Sequence, residues 1–87
     1  MQHYIVTTSV RHGEQVTERK HLIEAESVGQ AEILAIEIEC SHTGEELGEE
    51  DSCGIYSYSQ EFHFSPYNVQ LVEPEDVATL AKYFPIA

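Results

Sequence analysis

An α+β fold is predicted by three features of the chain. Apolar and polar residues alternate near the amino end and again from residue 55, a capped helical pattern lies between these stretches, and a proline-headed helical pattern closes the sequence. Their order, strand, strand, helix, strand, strand, helix (ββαββα), predicts a mainly antiparallel four-stranded sheet with the helices packed on one face. At 87 residues the chain has room for one core, so residues 1–87 are read as a single small acidic domain.

Residues 3–10, His-Tyr-Ile-Val-Thr-Thr-Ser-Val, are rich in β-branched and aromatic types, and Arg11-His12-Gly13-Glu14-Gln15 supplies a glycine-containing turn before Val16 to Ala25. This predicts a hairpin with Tyr4, Val6 and Val10 on its core face. Ser27-Val28-Gly29-Gln30 then has the form of a capping box, in which the serine hydroxyl accepts from the Gln30 amide and the glutamine side chain reaches back. The helix that follows carries an apolar stripe of Val28, Ala31, Leu34, Ala35 and Ile38, and ends near Cys40 to His42, before Gly44. A second apolar group, Ile33, Ile36 and Cys40, is set apart by Glu32 and Glu39 on one side and Glu37 on the other. Either another element covers this group or it forms a homodimer or partner interface, with Ile33 and Ile36 as the self-association residues.

Residues 43–53 hold five carboxylates between Glu45 and Asp51 and glycines at 44 and 48, which predicts a mobile loop through mutual repulsion and backbone entropy. Ile55 to Phe64 alternates, placing Tyr56, Tyr58, Phe62 and Phe64 on a buried face and His63 on the opposite one. Ser65-Pro66-Tyr67-Asn68 reads as a turn into a strand at Val69 to Val72. Pro74-Glu75-Asp76 opens a short helix with a stripe of Val77, Leu80, Ala81 and Phe84, stopped by Pro85.

Composition narrows the function classes. Hydrophobic residues make up 41% of the chain, enough for a packed core despite a formal net charge of -12. That charge disfavours direct binding to nucleic-acid phosphates or an anionic membrane and favours a basic protein partner. No segment approaches the ~20 apolar residues of a membrane span, and no signal peptide is evident, so a cytoplasmic location and reduced cysteines are expected.

The candidate chemistry fails on spacing. Cys40, His42, Cys53 and His63 are zinc-ligand types, but only Cys40 and His42 are close in sequence, whereas structural zinc sites bring ligands in tight pairs. Cys40 and His42, two apart on a helix, point in opposite directions and lack a third orienting group. The acidic segment lacks the ligand spacing of a calcium loop. No catalytic residues, metal or cofactor are therefore predicted, and the chain is read as a non-enzyme. What stands out is an array of carboxylates, Glu45, Glu46, Glu49, Glu50 and Asp51 with Glu32, Glu37 and Glu39, able to meet a basic protein surface.

The run Ile23-Glu24-Ala25-Glu26-Ser27, with Gln30-Ala31, Ala35, Cys40 and His42, resembles the strand-to-helix segment of a family of small phage-encoded anti-CRISPR proteins that inhibit type I-F systems. The resemblance implies a compact antiparallel sheet with a helix, a phage or mobile-element origin, and non-enzymatic inhibition at a nucleic-acid-binding surface. That family presents basic residues to the guide-binding groove, whereas Glu32, Glu37 and Glu39 stand on this helix. No functional residue carries over, and an acidic member would act as a nucleic-acid mimic. The expected function is thus an acidic protein-binding module directed at a basic, nucleic-acid-binding partner. The alternative is a small self-associating accessory protein whose charge provides solubility.

Overall fold

In the computed structural model, which describes residues 1–84, the hairpin is longer than its apolar pattern alone indicates. Strands β1 (Gln2–His12) and β2 (Gln15–Ala25) pair along their whole length around the two-residue turn Gly13-Glu14. Gly13 takes a φ of 64°, and glycine at the first central position lets such a turn match the twist of the strands. Helix α1 (Val28–Ser41) follows, then β3 (Leu47–Glu50), β4 (Ile55–Ser57), β5 (Phe62–Val72) and helix α2 (Pro74–Leu80). The sheet is antiparallel throughout, with the order β2-β1-β5-β4-β3.

The architecture is α+β as expected, but with five strands in the order ββαβββα instead of four. Three local features account for the difference. The acidic segment expected to be a mobile loop contains β3. The stretch expected as one strand from Ile55 to Phe64 turns at Tyr58 to Glu61, where Gln60 adopts a φ of 68° and its N–H donates to the Ser57 carbonyl (2.9 Å). The Ser65 to Asn68 turn is instead a bulge inside β5, because Thr7 pairs with Asn68 and Thr8 with Pro66, leaving Tyr67 extra. Proline is tolerated there because β4 reaches only His63 and Phe64, so at Pro66 the outer side of β5 carries no ladder.

The turn at Tyr58 to Glu61 also moves Tyr56 off the expected core face, on which Phe62 and Phe64 remain. Ile55 opposes Phe64 and Tyr56 opposes His63, so Tyr56 shares the His63 face while Phe62 and Phe64 face α1. Tyr58 lies in the turn and is 78% exposed, whereas His63 is buried.

Helix α1 crosses the sheet on the face of Tyr4 and Val6. Its cap forms as expected at Ser27, whose Oγ accepts from Gln30 N–H (3.1 Å), although the Gln30 side chain reaches the Glu26 N–H (2.6 Å) instead of that of Ser27. The row Glu32, Ala35 and Glu39 is turned toward the sheet, and the two apolar groups flank it. On one flank Ala31, Leu34, Ala35 and Ile38 pack with Tyr4, Val6, Ile23, Ala25 and Val69. On the other, Ile36 and Cys40 pack with Phe64, Val10, Leu47, Ile55 and Phe62. Ile36 and Cys40 of the second apolar group are therefore covered by the β3 to β5 half of the sheet. Ile36 is buried and withdrawn from the expected self-association surface, while Ile33 remains 52% exposed.

Helix α2 begins at Pro74, with Glu75 and Asp76 in its first turn, and touches β1. The expected stop at Pro85 lies outside the described residues. Among those described, no helix is long and apolar enough to cross a membrane.

Candidate partner-binding surface

The carboxylates expected to act together divide into two groups. Asp51 closes the β3–β4 turn: its Oδ1 accepts from the Cys53 and Gly54 N–H groups, both at 2.8 Å, and its carboxylate lies 3.2 Å from His63 Nε2. The backbone hydrogen bond from Cys53, followed by the contact with His63, holds the Asp51 carboxyl below the usual carboxylate range. The turn is tight enough that a Cβ on Gly54 would lie 2.0 Å from the Phe64 carbonyl oxygen. Glu45 ties the next turn, accepting from the Ser59 N–H at 2.8 Å, and hydrogen bonds from Ser59 lower its pKa too.

Glu46, Glu49 and Glu50 form the second group. They are exposed on or beside β3, one of the two edge strands, and make no ion pair among the described residues. Charged side chains along such an edge also discourage unwanted strand pairing.

On α1 the three glutamates have three different fates. Glu37 is exposed and Glu32 half-buried. Glu39 is only 5% exposed, with Oε1 at 3.4 Å from Arg19 Nε and Oε2 against His21 Nε2. Glu39 is therefore not a partner contact: a buried carboxylate needs compensating charge or donors, and β2 supplies them. Sequence reasoning missed Arg19 and His21 in this role. Their signal is alternation, since both fall in phase with the core residues Ile23 and Ala25 on the face that α1 covers.

A groove of about 440 Å³ between α1 and the β3–β4 turn brings the two acidic segments together. Glu32 and Ile33 line it from the helix, and Glu50, Asp51 and Cys53 from the turn. The groove thus combines carboxylates with an exposed aliphatic side chain. Glu46, Glu49 and Glu37 do not line it.

The four candidate zinc residues are engaged separately. Cys40 is buried, its Sγ donates to the Glu45 carbonyl (3.3 Å), and desolvation raises its pKa, leaving a protonated thiol instead of a nucleophile. His42 and Cys53 are exposed, and His63 contacts Asp51. Among the described residues no three His, Cys, Asp or Glu side chains are grouped to hold a metal ion.

Charge is segregated across the sheet. Three of the four Lys and Arg residues, Arg11, Arg19 and Lys20, belong to the β1–β2 hairpin, whereas the unpaired acids of β3 occupy the opposite edge. Neither a family model, nor a curated protein, nor a solved structure matches this chain.

Proposed function

We propose that the protein is a non-enzymatic binding module whose acidic edge occupies a basic, nucleic-acid-binding surface of a partner protein, with carboxylates standing in for phosphates. The segregation of charge supports this reading. Glu49 and Glu50 lie in β3 and Glu46 just before it, all exposed and without an ion pair among the described residues, with Glu32 and Glu50 on the adjoining groove. An ordered array loses less conformational entropy on binding than a mobile loop. Ile33 adds an apolar contact at the centre, and the surrounding carboxylates steer the encounter. A phage or mobile-element inhibitor acting in the cytoplasm fits the resemblance over Ile23 to His42.

The test is affinity capture from bacterial lysate at low and high ionic strength, comparing wild type with E46K/E49K/E50K. Expected is salt-sensitive capture of a basic nucleic-acid-binding protein, competed by duplex DNA and lost in the triple variant. Recovery of no such protein, or recovery unaffected by the substitutions, would overturn the proposal.

A further inference from the structure

Besides the two edge strands, one further stretch of backbone has no strand beside it: the outer side of β5 beyond Phe64, which β4 leaves unpaired. The edge strands carry charge, Glu18, Arg19 and Lys20 on β2 and Glu49 and Glu50 on β3, as protected edges do. The β5 stretch Tyr67-Asn68-Val69-Gln70-Leu71-Val72 carries none, and its Tyr67 and Leu71 are more than half exposed.

Register shows which backbone groups this stretch offers. In a two-residue hairpin the residues flanking the turn form a hydrogen-bonded pair, and such pairs alternate along the ladder. With His12 opposite Gln15, the even-numbered residues of β1 bond to β2 and the odd-numbered ones to β5. Beyond the bulge, Thr7, Ile5 and His3 oppose Asn68, Gln70 and Val72, which therefore turn their backbone groups inward. The N–H and C=O groups of Val69 and Leu71 face outward, and no turn or loop hydrogen bond among the described residues engages them. Both side chains lie on the α1 face, in register with Val6 and Tyr4. The groove beside α1 opens onto this edge at Pro66, which lines it together with Ile33.

We infer that an extended segment of a basic partner protein adds to the sheet along Tyr67 to Val72, with apolar residues against Val69 and Leu71 and a lysine or arginine at each end. Open strand edges bind extended segments through the backbone, while alternate side chains set specificity. Acids at both ends of the edge define the charge of the occupant. Glu32, Glu50 and Asp51 line the groove at the Pro66 end, and Glu73, Glu75 and Asp76 follow Val72. A cation at each end of the segment thus meets carboxylates in either chain direction. A second copy of the chain does not fit. Antiparallel pairing would set the Pro66 end of each copy against the Val72 end of the other, opposing carboxylates to carboxylates twice. The inference rests on the basic partner proposed above and names how that partner is held.

Selection of short random peptides on the full chain tests it. Enriched peptides should alternate apolar residues in the middle and carry lysine or arginine on both flanks. Leu71→Pro removes one outward N–H and no bond to β1, so the variant should fold by circular dichroism and bind a selected peptide roughly tenfold or more weakly. Glu32→Lys should remove the preference for a cation at one flank. Amide exchange should be fast at Val69 and Leu71 and slow at Gln70 and Val72 in the free protein, and a selected peptide should slow the first pair. If Leu71→Pro does not fold, this exchange pattern carries the test. Slow exchange at Val69 and Leu71 without peptide, binding indifferent to Leu71→Pro, or enrichment of acidic or non-alternating peptides would each overturn the inference. A wild-type dimer in sedimentation velocity that is lost in Leu71→Pro would overturn it in favour of self-association. Equal capture of a basic lysate protein by wild type and Leu71→Pro would overturn the β5 mode alone. Recovery of no such protein, with the expected peptides selected, would overturn the acidic-edge reading alone.

Discussion

The two halves of the sheet are held together by different means. From β2 through β1 to β5 the strands are eleven residues long and the ladders nearly continuous, so backbone pairing and the Tyr4 cluster organise the region. From β4 to β3 the strands have three and four residues, and β4 meets β5 at only two positions. Side chains supply what the ladder lacks: Asp51 closes one turn, Glu45 ties the next, and the Ser57 and Ser65 hydroxyls bond across it. Where pairing is short, polar side chains become structural, and two carboxylates that composition would assign to a partner serve the fold instead.

Removing the residue that joins the halves should have the largest effect. Phe64 is fully buried, pairs with both β1 and β4, and packs under Ile36 and Cys40. Phe64→Ala should cost about 4 kcal/mol in chemical denaturation, through lost burial and the cavity left behind. A cost below about 1 kcal/mol would mean that the β3–β5 half contributes little to the core.

Next in size is the Glu39 pairing, where the two sides of one interaction should give unequal results. Arg19→Ala with His21→Ala strands a buried carboxylate and should cost about 3 kcal/mol, whereas Glu39→Gln leaves Arg19 and His21 side chains that can reach water and should cost about 1 kcal/mol. Equal losses would show that the carboxylate is better hydrated than its burial indicates.

The pH dependence of the β3–β4 turn isolates the side-chain-held half. The Asp51 pKa is lowered in the fold, so its stabilisation is present above the ordinary carboxylate range and is lost as pH falls through that range toward the lowered value. Amide exchange protection at Cys53 and Gly54 should therefore fall on acidification while protection in the β1–β2 ladder persists. Asp51→Asn should flatten the response, and a response identical to wild type would assign it to another group.

The smallest effect should be of opposite sign. Thr8 is fully buried beside the bulge and its hydroxyl has no partner among the described residues, so Thr8→Val should be neutral or stabilising by up to about 1 kcal/mol in thermal unfolding. A marked destabilisation would reveal a hydrogen bond to that hydroxyl.

This contrast also explains what the chain disclosed in advance. The first hairpin, the Ser27 cap, the end of α1 and the Tyr4–Val6 face follow from signals within a few residues, and all are present. The second half misled because aromatic alternation runs straight through the Tyr58 to Glu61 turn, so the pattern gives no warning that the chain reverses. Pro66 reads as a turn because the open side of β5 that tolerates it depends on the length of β4. Of the candidate surface, exposure of Glu46, Glu49, Glu50 and Glu37 was readable from composition. The loss of Glu39 and Ile36 to the interior was not, since each depends on partners distant in sequence, Arg19 and His21 for one and Phe64 for the other.

The placement of Arg19 and Lys20 on the β2 edge, with Arg11 on the adjoining β1, and of the β3 acids on the other edge gives the molecule an electric dipole across the width of its sheet. Near a cationic groove such a body experiences a torque as well as a pull, and the torque rotates β3 forward before any atoms touch. Ionic screening confines this alignment to about 10 Å at 0.1 M salt. The molecule would therefore select its orientation only in the last steps of approach, and a uniformly charged protein of equal net charge would collide more often in unproductive poses.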